Sequence, residues 1–182
     1  MLSPTGNADA APASPSLEAF SEKYRQYFPR VFAYVYARVR YPHLTEDLVS
    51  EVFERAFTKA ESLRNDAAFS TWLFTIARNV IISNARKYGR ETLVDPDVMQ
   101  EIAPHSASVE SQVLHQEEMQ DIAGLVRRFP QREQDIISLK FDAELPNQQI
   151  AEIMGLSEPN VRVIIFRTLR KLREMLVAEA AR

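Results

Sequence analysis

The chain has 182 residues, 46% of them hydrophobic, with four glycines, no cysteine and a formal net charge of −3. That length covers one medium domain or two small ones. So few glycines leave no phosphate-cradling loop of the GxGxxG or P-loop kind, and the lack of cysteine excludes disulfides, thiolate metal sites and thiol redox switches. No apolar run approaches the roughly 20 residues of a membrane span. The N-terminus has no basic start followed by an apolar stretch, so no signal peptide is expected. The expected compartment is the cytoplasm, without membrane insertion.

Residues 1–16, MLSPTGNADAAPASPS, hold almost no large apolar side chain and read as a disordered tail. Leu17, Phe20, Tyr24, Val31, Val35 and Val39 then recur at three- and four-residue steps and predict a helix, which Pro42 ends. A second helix is expected with Thr45 as N-cap, Glu46 and Asp47 at its positive end, and Leu48, Val52, Ala56 and Ala60 on one face. Residues 62–70 read as a polar loop, and a third helix runs from about Thr71 to Tyr88, with Gly89 near its end. Its expected core face is Trp72, Leu73, Ile76, Ala77 and Val80; Thr75, Arg78, Asn79, Ile82 and Arg86 point away. Residues 91–107 carry two prolines and no clean period, and read as a linker. Helical pattern resumes near Val109 and continues to Phe129, where Pro130 interrupts it. No segment alternates with the two-residue period of a strand, so the chain is expected to be all-α.

Charge follows this division. Residues 16–90 hold 12 Lys/Arg against 8 Asp/Glu, residues 91–126 hold 8 acids and no Lys/Arg, and residues 127–182 hold 10 Lys/Arg against 8 acids. Two basic blocks around an acidic one suggest two polyanion-binding modules and a connector that is not one. Ordinary solvated surface is the competing explanation for the acidic block.

The segment NQQIAEIMGLSEPNVRVIIFRTLRKLR is the strongest local signal. Ile150, Ala151, Ile153 and Met154 face the core from a short helix, Gly155 permits a left-handed turn, and Ser157 is placed to cap the next helix. Such a helix-turn-helix lays its second helix in the DNA major groove. At about 100° per residue, Val161, Ile165, Thr168, Leu169, Leu172 and Leu176 fall on the core side. Pro159, Val163, Phe166, Arg167 and Arg170 fall opposite, with Arg162, Lys171 and Arg173 on the flanks. Arg167 and Arg170 suit phosphates or guanine, and Val163 and Phe166 suit thymine methyls. Packing against another helix or a partner protein is the competing explanation for Val163 and Phe166, and for Val163 it serves equally well.

With these elements placed, residues 17–178 resemble the extracytoplasmic-function (ECF) sigma factors of the sigma-70 family. LTEDLVSEVFERAF resembles the region-two helix that docks on RNA polymerase. FSTWLFTIARNVIISNARK resembles the helix that reads the minus-ten element. The helix-turn-helix resembles region four, which reads the minus-thirty-five element. The three in this order are far more specific than any alone. The resemblance implies two small helical domains: region two over residues 17–90, a linker over 91–107, and region four over 108–182, with no appended C-terminal domain expected. It implies core RNA polymerase and promoter DNA as partners, with an anti-sigma factor as a further candidate, and no cofactor, metal or catalysis.

Residue by residue, the resemblance assigns polymerase binding to Asp47, Leu48, Glu51 and Glu54, where the three acids form a stripe at i, i+4 and i+7. It assigns minus-ten contacts to Leu63, Asn65, Thr75, Arg78, Asn79, Ser83 and Arg86, the loop at 62–70 capturing a flipped base. Phe69 reads as a core anchor rather than a stacking surface. Minus-thirty-five contacts fall to Pro159, Asn160, Arg162, Val163, Phe166, Arg167 and Arg170. Many members carry a small polar residue and then an arginine where this chain has Val163 and Ile164, which implies a different minus-thirty-five sequence or a protein cover. The competing reading is a stand-alone helix-turn-helix regulator binding duplex DNA as a dimer. An enzyme is disfavoured because His43, His105 and His115 are scattered and no catalytic cluster appears. A purely structural adaptor leaves the basic outer helix face unexplained.

Overall fold

A computed structural model describes residues 17–60, 68–88 and 122–181. Among the described residues every regular element is a helix. The linker at 91–107, the loop residues Leu63 and Asn65, and the stretch from Val109 to Asp121 lie outside them.

Helix α1 (Leu17–Val39) runs past Pro29, whose exposed position lets water satisfy the carbonyl that loses its partner. The chain then turns sharply. Arg40 adopts a left-handed conformation (φ 61°), and Tyr41 is extended, as a residue before proline must be. Helix α2 (Pro42–Lys59) starts on that proline. The N-cap is Tyr41, and the sequence placed it four residues later, at Thr45. Thr45 is instead buried inside the first turn, and its Oγ1 donates to the Tyr41 carbonyl at 2.9 Å. Proline explains the shift, since its preset φ and missing N–H suit a helix start as well as they end the helix before.

Helix α3 (Phe69–Tyr88) packs on α1 and α2 through Leu73, Ala77 and Val80, with Phe69 buried at its start. Trp72 and Ile76 are only partly buried. Phe74, expected on neither face, is fully buried, edge-on to Tyr34. The reason is a second neighbour: α3 also packs against the C-terminal half of the chain.

That half comprises a helical turn at 122–126, α4 (Gln131–Phe141), α5 (Asn147–Met154) and α6 (Glu158–Ala180). Gly155 closes α5 in the left-handed region (φ 64°), and Leu156 N–H donates to the Ala151 carbonyl at 2.9 Å. A Cβ on Gly155 meets nothing within 4 Å, so substitution strains only the backbone. Gly155→Ala is therefore expected to cost about 1–2 kcal/mol in a denaturant melt. Ser157 occupies the N-cap of α6 in extended conformation, but its side chain makes no cap hydrogen bond. Pro159 stands at the second helical position and has no N–H to offer, which removes one of the two donors a cap normally takes.

Val161, Thr168 and Leu172 hold α6 to the core as expected. Leu169 does not: it is 39% exposed, because Thr168 takes the inward position and donates to Glu133 Oε2 at 3.3 Å. A smaller apolar cluster of Leu125, Phe129 and Leu172 ties the turn at 122–126 to the C-terminal half of α6.

The two helical units are docked. A continuous core runs from Val31, Val35 and Leu73 to Ile136, Leu139 and Ile150. Polar contacts also cross the seam: Arg30 Nε donates to the Ala143 carbonyl at 2.8 Å, and Ser70 Oγ to Gln149 Oε1 at 2.9 Å.

Candidate nucleic-acid interface

The outward face of α6 is open. Pro159, Asn160, Arg162, Val163, Phe166, Arg167 and Arg170 are all exposed, Phe166 at 66% and Val163 at 46%. A phenylalanine that open leaves most of its apolar area uncovered among the described residues and available to a ligand. Arg167 has no ion-pair or hydrogen-bond partner among the described residues. The face is less free of acids than the sequence suggested. Arg162 pairs with Glu158 at 2.9 Å, and Arg170 lies 3.7 Å from Glu174. Both are exposed i, i+4 pairs, which contribute little and yield readily to a phosphate.

On α3, Asn79, Ser83 and Arg86 are exposed. Thr75 is half-buried, its Oγ1 donating to the Thr71 carbonyl at 2.7 Å. Arg78 is not a free surface cation. Its Nε donates to Asp135 Oδ2 at 3.3 Å across the seam between the two units. Asp135 Oδ1 lies 3.0 Å from Arg38 Nε, an ion pair whose N–H is not aimed at the oxygen. Arg38 Nη1 donates instead to Gln134 Oε1 at 2.7 Å. No spacing in the sequence marks Arg38 or Asp135, because three different helices contribute to this contact. Nearby, burial lifts the Asp142 carboxyl above its ordinary range, although Ser138, Arg40 and Arg38 pull the other way.

On α2, Asp47 and Glu54 are exposed, and Glu51 is half-covered and paired with Arg55. Leu48 lies in the core at 3% exposure, supporting the acidic ridge from beneath rather than lining it. Of the three histidines, His43 is exposed and the other two fall outside the described residues. Among the described residues there is no group of His, Asp or Glu able to hold a metal ion, and no helix long and apolar enough to cross a membrane.

Comparison with known proteins decides the family. Sigma-70 region 2 matches residues 24–91, and Sigma-70 region 4 matches residues 126–174. The chain belongs to the sigma-70 family. Within it several of the relatives are ECF factors. The chain is 30% identical over 138 residues to the ECF RNA polymerase sigma-E factor of Haemophilus influenzae, covering 71% of each chain. It is 28% identical over 155 residues to the ECF RNA polymerase sigma factor SigM of Bacillus subtilis, covering 85% of this chain and 93% of that one. The sigma factor RpoE of Bartonella quintana, solved with the anti-sigma factor NepR, shares the fold. Its TM-score is 0.68 at 24% identity, over 88% of this chain and 98% of that one. This sigma factor is a transcription initiation factor, and the unit holding α1 to α3 is its region two, the unit holding α4 to α6 its region four.

Proposed function

We propose that the factor grips core RNA polymerase through the Asp47–Glu51–Glu54 ridge and holds a promoter at two points. The outward face of α6 takes the minus-thirty-five duplex. The α3 face, with the loop that precedes it, takes the melted minus-ten strand. The observation that carries this reading is the open face of α6, where Arg167 and Arg170 stand exposed beside Val163 and Phe166. Cations for phosphates and apolar groups for thymine methyls are what a groove-reading helix requires.

Two-point recognition places a geometric demand on the fold. Elements about 25 base pairs apart are separated by roughly 80 Å of duplex. Regions docked through contacts of about 3 Å cannot reach both elements at once, so region four must leave region two for the promoter to be read. The chain length allows it. The roughly 33 residues between Tyr88 and Ile122 span up to about 110 Å when extended. Tethering then raises avidity, so neither region need bind tightly alone.

The factor acts in the cytoplasm, performs no catalysis of its own, and uses the polymerase active site. By likeness to the Bartonella factor, an anti-sigma protein is a further partner, and the exposed Val163 and Phe166 suit a protein cover when the factor is idle. Run-off transcription with purified core polymerase and a genomic promoter library tests the reading: discrete promoter-dependent transcripts are expected. Strong, specific binding to paired half-sites in a gel shift without polymerase would instead establish the dimeric regulator.

A further inference from the structure

Arg38 of α1 and Arg78 of α3 belong to region two, yet both lie against one carboxylate of region four. Asp135 is 4% exposed, and its two oxygens divide between the guanidiniums at 3.0 and 3.3 Å. The Arg38 side chain is itself 6% exposed. Take region four away and region two keeps two convergent cations with nothing between them. That arrangement is unfavourable until another anion arrives. A second feature of the same neighbourhood points to an oxygen-rich ligand. The hydroxyl of Tyr34 is fully buried without a hydrogen-bond partner among the described residues, close enough to Asp135, Arg38 and Arg78 to feel their charges.

We infer that Arg38 and Arg78 form an anion site of region two that takes a backbone phosphate of single-stranded promoter DNA, and that Asp135 fills this site while region four is docked. The inference rests on the reading of α3 as the DNA-facing helix. Guanidinium forks recognise carboxylate and phosphate by the same planar geometry, so one can stand in for the other. Arg78 adjoins the exposed Asn79 on the face that also carries Ser83 and Arg86, so a strand lying along that face passes the site. Occupation by Asp135 and occupation by DNA exclude each other. DNA binding to region two therefore favours undocking, and undocking favours DNA binding to the same degree.

The test uses the full chain and a fluorescein-labelled twelve-residue oligothymidylate, since a phosphate contact needs no particular sequence. Affinity is read by anisotropy across a salt series. Asp135→Asn keeps the shape and removes the competing charge; about tenfold tighter binding than wild type is expected if the docked state holds nine molecules in ten. Adding Arg38→Ala to that variant is expected to return affinity to the wild-type level and to flatten the salt slope by about 0.7, the contribution of one phosphate on a single strand. Gln149→Trp wedges the seam apart at the Ser70 contact without adding charge, and is expected to tighten binding as Asp135→Asn does. It also serves as the independent probe if Asp135→Asn misfolds, which circular dichroism reports.

Arg86→Ala separates the two levels of the claim, because Arg86 shares the DNA face but not the Asp135 contact. If Arg86→Ala weakens binding while neither Asp135→Asn nor Gln149→Trp tightens it, α3 faces DNA and the anion site is refuted. If the gain appears but survives Arg38→Ala, the site is refuted as well. If Arg86→Ala has no effect in any background, the reading of α3 itself fails, and the inference with it.

Discussion

Reversing the charge of Asp47 and Glu51 together, as Asp47→Arg with Glu51→Arg, is expected to abolish capture of core RNA polymerase in a pull-down. The ridge sits on a helix whose opposite side is anchored by Leu48, Val49, Val52, Phe53 and Ala56, all buried. Two outward substitutions leave that anchoring intact. The new arginine at 51 does face Arg55, the present partner of Glu51, and an i, i+4 repulsion of this kind costs only about 0.3–0.5 kcal/mol. The loss at the interface is much larger. A basic partner attracted by the ridge would instead meet like charge, at several kcal/mol, and each ~1.4 kcal/mol lowers affinity tenfold. A fall of a hundredfold or more is expected, beyond what a pull-down retains. An unchanged helical spectrum shows that folding is not the cause. Capture at the wild-type level would remove the ridge from the polymerase interface.

The second large effect concerns α6. Arg167→Ala with Arg170→Ala is expected to weaken promoter binding by the holoenzyme and to change how that binding responds to salt. Arg167 has no partner among the described residues to give up, and the exposed contact of Arg170 with Glu174 is too weak to withhold it. If both arginines meet phosphates, the slope of log affinity against log salt falls by about 1.8. If one reads a guanine edge, discrimination at that base pair falls by about 1–3 kcal/mol while the slope changes by half as much. Measuring affinity on wild-type and single-base-variant promoters across salt separates the two roles. Unchanged affinity, slope and discrimination would clear both arginines of DNA contact.

The helix-turn-helix was legible before any coordinates. Ile150, Gly155 and Val161 behave as their spacing requires, and the open face of α6 is the one that helical geometry indicated. Local chemistry dictates these features, since a glycine in a tight turn between two amphipathic helices has few conformations that bury both apolar stripes. The misplaced start of α2 is also local. Pro42 ends one helix and begins another, and the apolar spacing marks only the first role.

Phe74, Arg78 and Asp135 are a different matter. Helical periodicity reports which side chains share a face of one helix; it is silent about what lies opposite. A cation at a seam has the same helical spacing as one facing solvent, so the pattern counts Arg78 among the outward residues of α3 and does not reveal the second neighbour that buries Phe74. The amino-acid pattern was enough to establish the helices, the left-handed turn at Gly155 and the exposed arginines of α6, because each follows from contacts within a few residues. Folding alone brought Arg38, Arg78 and Asp135 to one place. Their attraction acts through space between segments up to 97 positions apart, and no local pattern encodes which of many surface charges will meet when two helical units dock.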